Sequence, residues 1–253
     1  MNLNTMKGKA QILTMALLLI TICGHAQDNP KNQAGKKEVK KGLVSFETTT
    51  ADDGAVHYGF KMNGLDVGPH MVLRTNGTTY STYNREHHLD GPLIEMGKEQ
   101  GTIELYTYRK NKKNGPAFKM ANGKVAWQKQ FKNDTEDING FQVDAPGQYA
   151  QIKGDGTSGF TMEKYDKAYA IGYFKWGYRY LPMIHVWDDG HSYYGQYLGG
   201  GRNGLGVMFY PDGSKYIGVW NDSYREGLGF VMNKEGNVVE KGYYDGGELK
   251  IAL

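Results

Sequence analysis

Four histidines, His57, His70, His87 and His88, and an oxygen-rich run, Asp134, Glu136, Asp137 and Asn139-Gly140, have side chains that could hold a metal ion. An imidazole site needs ring nitrogens converging on one point and partners that orient them, and spacing alone establishes neither. A calcium loop needs alternating oxygen ligands and a distant bidentate acid. Only fragments of that pattern are present, so the run reads as an extended turn. Gly199-Gly200-Gly201-Arg202-Asn203-Gly204 has the form of a dinucleotide fingerprint. A strand rather than a helix should follow it, which removes the helix N-terminus that cradles a phosphate. Gly154-Asp155-Gly156-Thr157-Ser158-Gly159 is not a nucleophile elbow, and no strand–helix context surrounds it. Cys23 is the only cysteine, and no triad or carboxylate pair can be assigned. The expectation is a protein without catalytic residues, cofactor or metal.

The elements that would position any such residues come from a repeat. Asp189-Gly190 is followed by Tyr193, Gly195, Tyr197, Gly204 and Gly206. Asp212-Gly213 is followed by Tyr216, Gly218, Trp220, Gly227 and Gly229, and Gly236 opens a third copy, with a step of 23 residues throughout. Counting back, turn glycines fall at Gly54, Gly77, Gly101, Gly123 and Gly147, and a degenerate unit starts near Lys167. Gly59, Gly64, Gly68 and Gly77 sit at the offsets of Gly195, Gly200, Gly204 and Gly213. Tyr80 and Gly91 match Tyr193 and Gly204, and Gly115 again matches Gly204. In the sixth unit Leu181 stands where a glycine is expected.

Alternation decides what one unit is. Tyr193, Gly195 and Tyr197 share one side of a strand, as do Leu205, Val207 and Phe209 on the next, with a glycine-containing reversal between them. Pro211-Asp212-Gly213 then turns the chain into the next unit. Each unit is therefore a β-hairpin that cannot bury its own aromatic face. Stacked hairpins should place Phe174, Tyr197 and Trp220 in a ladder beside a row of Gly172, Gly195 and Gly218, with rings from adjoining strands lying over the glycines. Eight or so hairpins at about 4.8 Å per strand predict an all-β, antiparallel, elongated sheet roughly 80 Å long. Lys241, Lys250 and a strand at Leu43–Thr48 should protect its ends.

Written as Tyr-x-Gly-x-(Trp/Tyr), ten residues to Gly-x-Gly and then Asp-Gly, the unit closely resembles the MORN repeat. The resemblance covers most of the chain and is strongest over 190–253. It implies a non-catalytic scaffold that engages a protein partner or a membrane surface.

Residues 1–26 read as a secretory signal peptide, with Lys7 and Lys9 as the positive region, Ile12 to Ile22 as the apolar core, and Gly24-His25-Ala26 as the cleavage site. Residues 27–41, with five lysines, read as a basic flexible linker before the array at 42–253. Export to the periplasm, envelope or medium follows. Without Lys7 and Lys9 the formal charge of +3 falls to about +1, too small to argue for nucleic acid. Two other classes compete. A carbohydrate-binding module would use outward rings such as Tyr173, Tyr178, Tyr194 and Tyr224 as sugar platforms. An enzyme would need polar groups converging near the degenerate central units.

Overall fold

The computed structural model describes residues 44–98, 101–137 and 159–253. The proposed signal peptide and linker, Gly147, Asn139-Gly140 and residues 154–158 lie outside that set. Within it every regular element is a β-strand. The first sheet contains β1 (Val44–Thr50), β2 (Val56–Met62), β3 (Leu65–Arg74), β4 (Gly77–Tyr83), β5 (Gly91–Gly97), β6 (Ile103–Arg109), the short β7 (Lys112–Lys113), β8 (Gly115–Ala121), β9 (Lys124–Lys132) and the short β10 (Thr135–Glu136). The second contains β11 (Gly159–Tyr165), β12 (Ala168–Lys175), β13 (Tyr178–Trp187), β14 (Ser192–Leu198), β15 (Gly201–Phe209), β16 (Lys215–Asn221), β17 (Tyr224–Met232), β18 (Val238–Asp245) and β19 (Glu248–Ala252). Strands pair antiparallel with their sequence neighbours, as tandem hairpins require, except that β6 pairs with both the two-residue β7 and β8.

The hairpin array is divided between two sheets that pack face to face, so the 80 Å length of one continuous sheet does not result. The chain doubles back. Phe46 of β1 meets Phe230 of β17 at 5.1 Å, Tyr80 of β4 meets Phe209 of β15 at 6.4 Å, and Phe118 of β8 meets Phe160 of β11 at 5.0 Å. Phe60, Met71, Ile94 and Leu105 from one sheet and Ile171, Ile184, Val207 and Ile217 from the other complete this shared core. Burying each of these side chains contributes about 1.5–3 kcal/mol. Each sheet therefore has an inner, apolar face and an outer one. Lys241 lies within β18 rather than at an edge and sits over the Phe46 ring at 5.0 Å, while Lys250 is on the terminal strand β19, paired with Glu248.

Turn chemistry explains the step. At Gly54, Gly190 and Gly213 the preceding aspartate accepts a hydrogen bond from the N–H of the residue after the glycine, at 2.8–3.0 Å. The glycine has φ of +80° to +91°, a conformation that costs other residues about 1–2 kcal/mol. Gly236 follows with φ +88°. Gly77 departs from the expected series. It is the first residue of β4, after a two-residue loop, Thr75-Asn76, whereas five residues separate Phe209 from Lys215. The shorter loop shifts the alternation, so Tyr80 points into the core and Thr79, not Tyr80, occupies the position of Tyr216: Thr79 pairs with Val72 as Tyr216 pairs with Met208.

Leu181 keeps the geometry of the glycine that it replaces. Its φ is +61°, against +69° at Gly204 and +70° at Gly227. The sixth unit is thus regular despite its sequence, and the division of the array falls between Glu136 and Gly159.

The glycines fall into two kinds, which separate on substitution. A Cβ at Gly218 would lie 2.2 Å from the Tyr216 hydroxyl and 2.3 Å from its ring, whereas one at Gly236 would meet nothing within 4 Å. Gly218→Ala should cost about 2–3 kcal/mol through overpacking, and Gly236→Ala about 1–2 kcal/mol through its backbone conformation alone. Denaturant titration of both variants checks this, and the reverse order would refute the packing account.

Candidate functional site

The two outer faces use the same lattice differently. Across the second sheet one register row reads Ala170, His185, Tyr193, Met208, Tyr216 and Val231. The Tyr193 ring lies over Gly195 and Gly206, and the Tyr216 ring over Gly218 and Gly229. Each ring therefore comes from the same strand as its first glycine, not from an adjoining strand. The glycines of each pair are register partners, so two bare backbones make the bed for one ring. The ladder is an edge-to-face chain, Tyr197–Tyr193–Trp220–Tyr216–Tyr244, with centroids 5.1–5.6 Å apart. Phe174 belongs to the same buried cluster, but Tyr193 and Tyr216 supply the links that the expected Phe174–Tyr197–Trp220 ladder omitted.

Arginines cover these rings at the 23-residue step. Arg179 stands 5.7 Å from the Tyr197 ring, Arg202 4.4 Å from Trp220, and Arg225 4.6 Å from Tyr216. Arg202 also donates to the Ser223 carbonyl at 2.9 Å and Arg225 to the Tyr210 hydroxyl at 2.6 Å. The sequence reading missed this series, although the spacing 179, 202, 225 was visible. Tyr193, Tyr197, Tyr216 and Trp220 are all buried, so the face is filled and offers no opening.

The four tyrosines expected to face a ligand do not form a platform. Tyr173 is buried against Phe160 at 5.1 Å, and Tyr194 packs on Phe209 at 5.4 Å, both on the inner face. Their positions in the alternation put them there: Tyr194 lies between two outward residues, Tyr193 and Gly195. Tyr178 and Tyr224 are exposed, each at the tip of a hairpin.

The outer face of the first sheet is open. Its corresponding row is Thr49, His57, Val72, Thr79, Glu95, Glu104, Lys119 and Trp127. Small or polar side chains stand at positions that hold rings in the second sheet, and the result is a groove of about 740 Å³ spanning β1 to β6. At one side Lys61 donates to Asp66 at 2.8 Å, and His70 Nε2 is 3.2 Å from the same carboxylate oxygen. The His70 ring lies over Gly59, its register partner, and meets Tyr83 edge-on at 4.9 Å. The bond to His70 leads in holding the Asp66 carboxyl far below the usual range, with Lys61 assisting against burial.

On the groove floor Glu95 and Glu104 are direct cross-strand partners, an arrangement that destabilises a sheet. Burial and the facing Glu104 push the Glu95 carboxyl up. Burial also raises Glu104, but Lys119 at 2.8 Å and the Tyr106 hydroxyl at 2.5 Å outweigh it and hold that carboxyl low.

The histidines and acids named from the sequence have separate tasks. His87 Nδ1 bonds the Asp66 carbonyl oxygen at 2.8 Å, His88 pairs with Glu86 at 3.5 Å, and His57 lines the groove. Asp134 accepts from the Lys113 N–H at 2.8 Å, Glu136 pairs with Lys129 at 2.6 Å, and the Asp137 N–H donates to the Gln130 carbonyl at 2.7 Å, so the run ties the last hairpin of the sheet. Among the described residues no three His, Cys, Asp or Glu side chains are placed to hold a metal ion. Gly199-Gly200 is a hairpin tip, and the strand β15 begins at Gly201. Ser81 is the register partner of His70. His70 Nδ1 faces the Gly68 carbonyl at 3.1 Å, and its Nε2 lies 3.2 Å from the Asp66 carboxylate.

One buried histidine outside the groove gives the fold a pH signature. His185 stacks on Trp187 at 3.9 Å and pairs with the Tyr197 hydroxyl at 2.9 Å. Burial, then Arg179 and Arg202, push its pKa from 6.5 down to about 4. The unfolded chain thus takes up this proton first. The stability from a neutral His185 is intact above pH 6.5 and is lost as the pH falls towards 4, by on the order of 2–3 kcal/mol. Comparing wild type with His185→Gln by denaturant titration at pH 7 and pH 4.5 should show the smaller loss in the variant. Equal losses would remove His185 as the cause. No protein-family model matches this chain, and no curated protein matches it.

Proposed function

We propose that the chain is an exported, non-catalytic repeat scaffold, of the kind that its MORN-like units imply, and that it holds its partner in the outer groove of the first sheet. The observation that carries this reading is the contrast between two equivalent faces. The second sheet fills its outer face with its own rings and arginines, while the first leaves about 740 Å³ open over the same lattice. Glu95 opposite Glu104 is a local cost that the fold does not require, and such costs concentrate where a surface is kept for binding. Export rests on the leader at residues 1–26 and suits a cysteine-free array held by packing.

The lattice itself supplies the test. Thr79→Tyr with Ser81→Gly gives β4 the Tyr216/Gly218 pair of β16 and should place a ring in the groove. The double variant should melt within a few degrees of wild type yet lose capture of its partner from envelope extract. Tyr224→Ala, at a hairpin tip, should retain capture. Full capture by the folded double variant would sink the groove reading.

A second reading, contact with a membrane surface, has one specific observation behind it. Trp176, Tyr178, Leu198 and Tyr224 are 67%, 61%, 50% and 61% exposed along the tips of successive hairpins. Interfacial aromatics favour such boundaries. Vesicle flotation that is lost with Trp176→Ala and kept by the groove variant would support this reading over the first.

A further inference from the structure

We propose that the ligand of the outer groove is an uncharged oligosaccharide chain lying across the strands, along the line from His57 to Glu104; this rests on the groove reading above. Charge is the first argument. Of the charges lining the groove, Asp66 is tied to Lys61 and Glu104 to the neighbouring Lys119, each at 2.8 Å, while Glu47 and Glu95 stand beside a single further base, Arg74. A field that selects a polyanion needs positive charge in excess and one that selects a polycation a large negative excess; here, with Lys119 counted, the acids outnumber the bases by one.

Direction is the second argument. An extended peptide docks on a sheet by adding backbone hydrogen bonds at an edge. The groove crosses the faces of β1 to β6, where the ladder bonds lie within the sheet and only side chains meet a ligand. Side chains along that line recur once per strand, about every 4.8 Å, a step comparable to the advance of one pyranose unit. His57, Thr79, Glu95 and Glu104 supply donors and acceptors for ring hydroxyls, and Val72 interrupts them with an apolar patch suited to the C–H face of a sugar. The groove lies within the ~300–1,000 Å³ typical of ligand sites and is long enough for several units.

The site also differs from the tyrosine platforms expected from sequence. Recognition here is mainly by planar polar groups on a sheet face, with Tyr83 at one flank stacked edge-on against His70.

Isothermal titration of the exported chain with neutral hexasaccharides, a β-glucan series and a chitin-type series, tests the proposal, with polygalacturonate as the anionic control. At least one neutral hexamer should bind, with little change between 50 mM and about 500 mM salt, and its disaccharide should bind at least tenfold more weakly. Glu95→Ala and Thr79→Tyr/Ser81→Gly should each weaken binding tenfold or more, with melting temperatures showing that both remain folded. Failure of every neutral hexamer, binding of polygalacturonate alone, or unchanged binding by the folded groove variants would overturn it. If envelope capture still depends on the groove while no hexamer binds, the saccharide inference falls and the scaffold reading stands. If the groove variants change neither assay, both fall.

Discussion

A tyrosine ring laid over two register-paired glycines is the contact on which the rest of this protein depends. At Gly195/Gly206 and Gly218/Gly229 any Cβ would enter the space of Tyr193 or Tyr216, so the backbone must stay bare for the ring to lie flat. Once flat, each ring presents edges to Trp220, Tyr197 or Tyr244, and the contacts of one hairpin become those of the next. Such pairs add about 0.5–1.5 kcal/mol each beyond burial. The arginines at 179, 202 and 225 shield the rings from water without adding a separate layer of chain.

The other half of the stability is not local to a repeat. Phe46, Tyr80 and Phe118 find partners in the second sheet at Phe230, Phe209 and Phe160, far away in sequence. A solenoid in which each unit touches only its neighbours would unravel from one end. Here the first hairpins lie over the last, so the inner core couples both ends of the described array. The shared interface also sets the two outer faces free to diverge, since the inner residues alone hold the sheets together.

That freedom is used in the first sheet. A two-residue loop before β4 turns Tyr80 inward and brings Thr79 outward, and His70 replaces one glycine of the pair, its own ring lying over Gly59. The compensation is polar: Asp66 anchors His70 and Lys61, and Lys119 with Tyr106 stabilises Glu104. Open space and the facing carboxylates Glu95 and Glu104 then lie on the same sheet face, which is why the groove is the place to look for a ligand.

Much of this was legible in the residues. The 23-residue step, the hairpins, the Asp-Gly turns and the buried fates of Tyr193, Tyr216 and Trp220 follow from period-two alternation and from glycine at fixed offsets, because local backbone chemistry determines each of them. Leu181 shows how strongly the lattice holds, since it takes the glycine conformation without being glycine. The candidate site was not legible. Its row joins Thr49 to Glu104 across six strands, and a loop shortened between Arg74 and Gly77 decides which residues face it. The inward turn of Tyr173 and Tyr194 depends on a second sheet that no single repeat reveals. Sequence fixes which side chains share a face, whereas only the packing of one sheet on the other decides which face meets water.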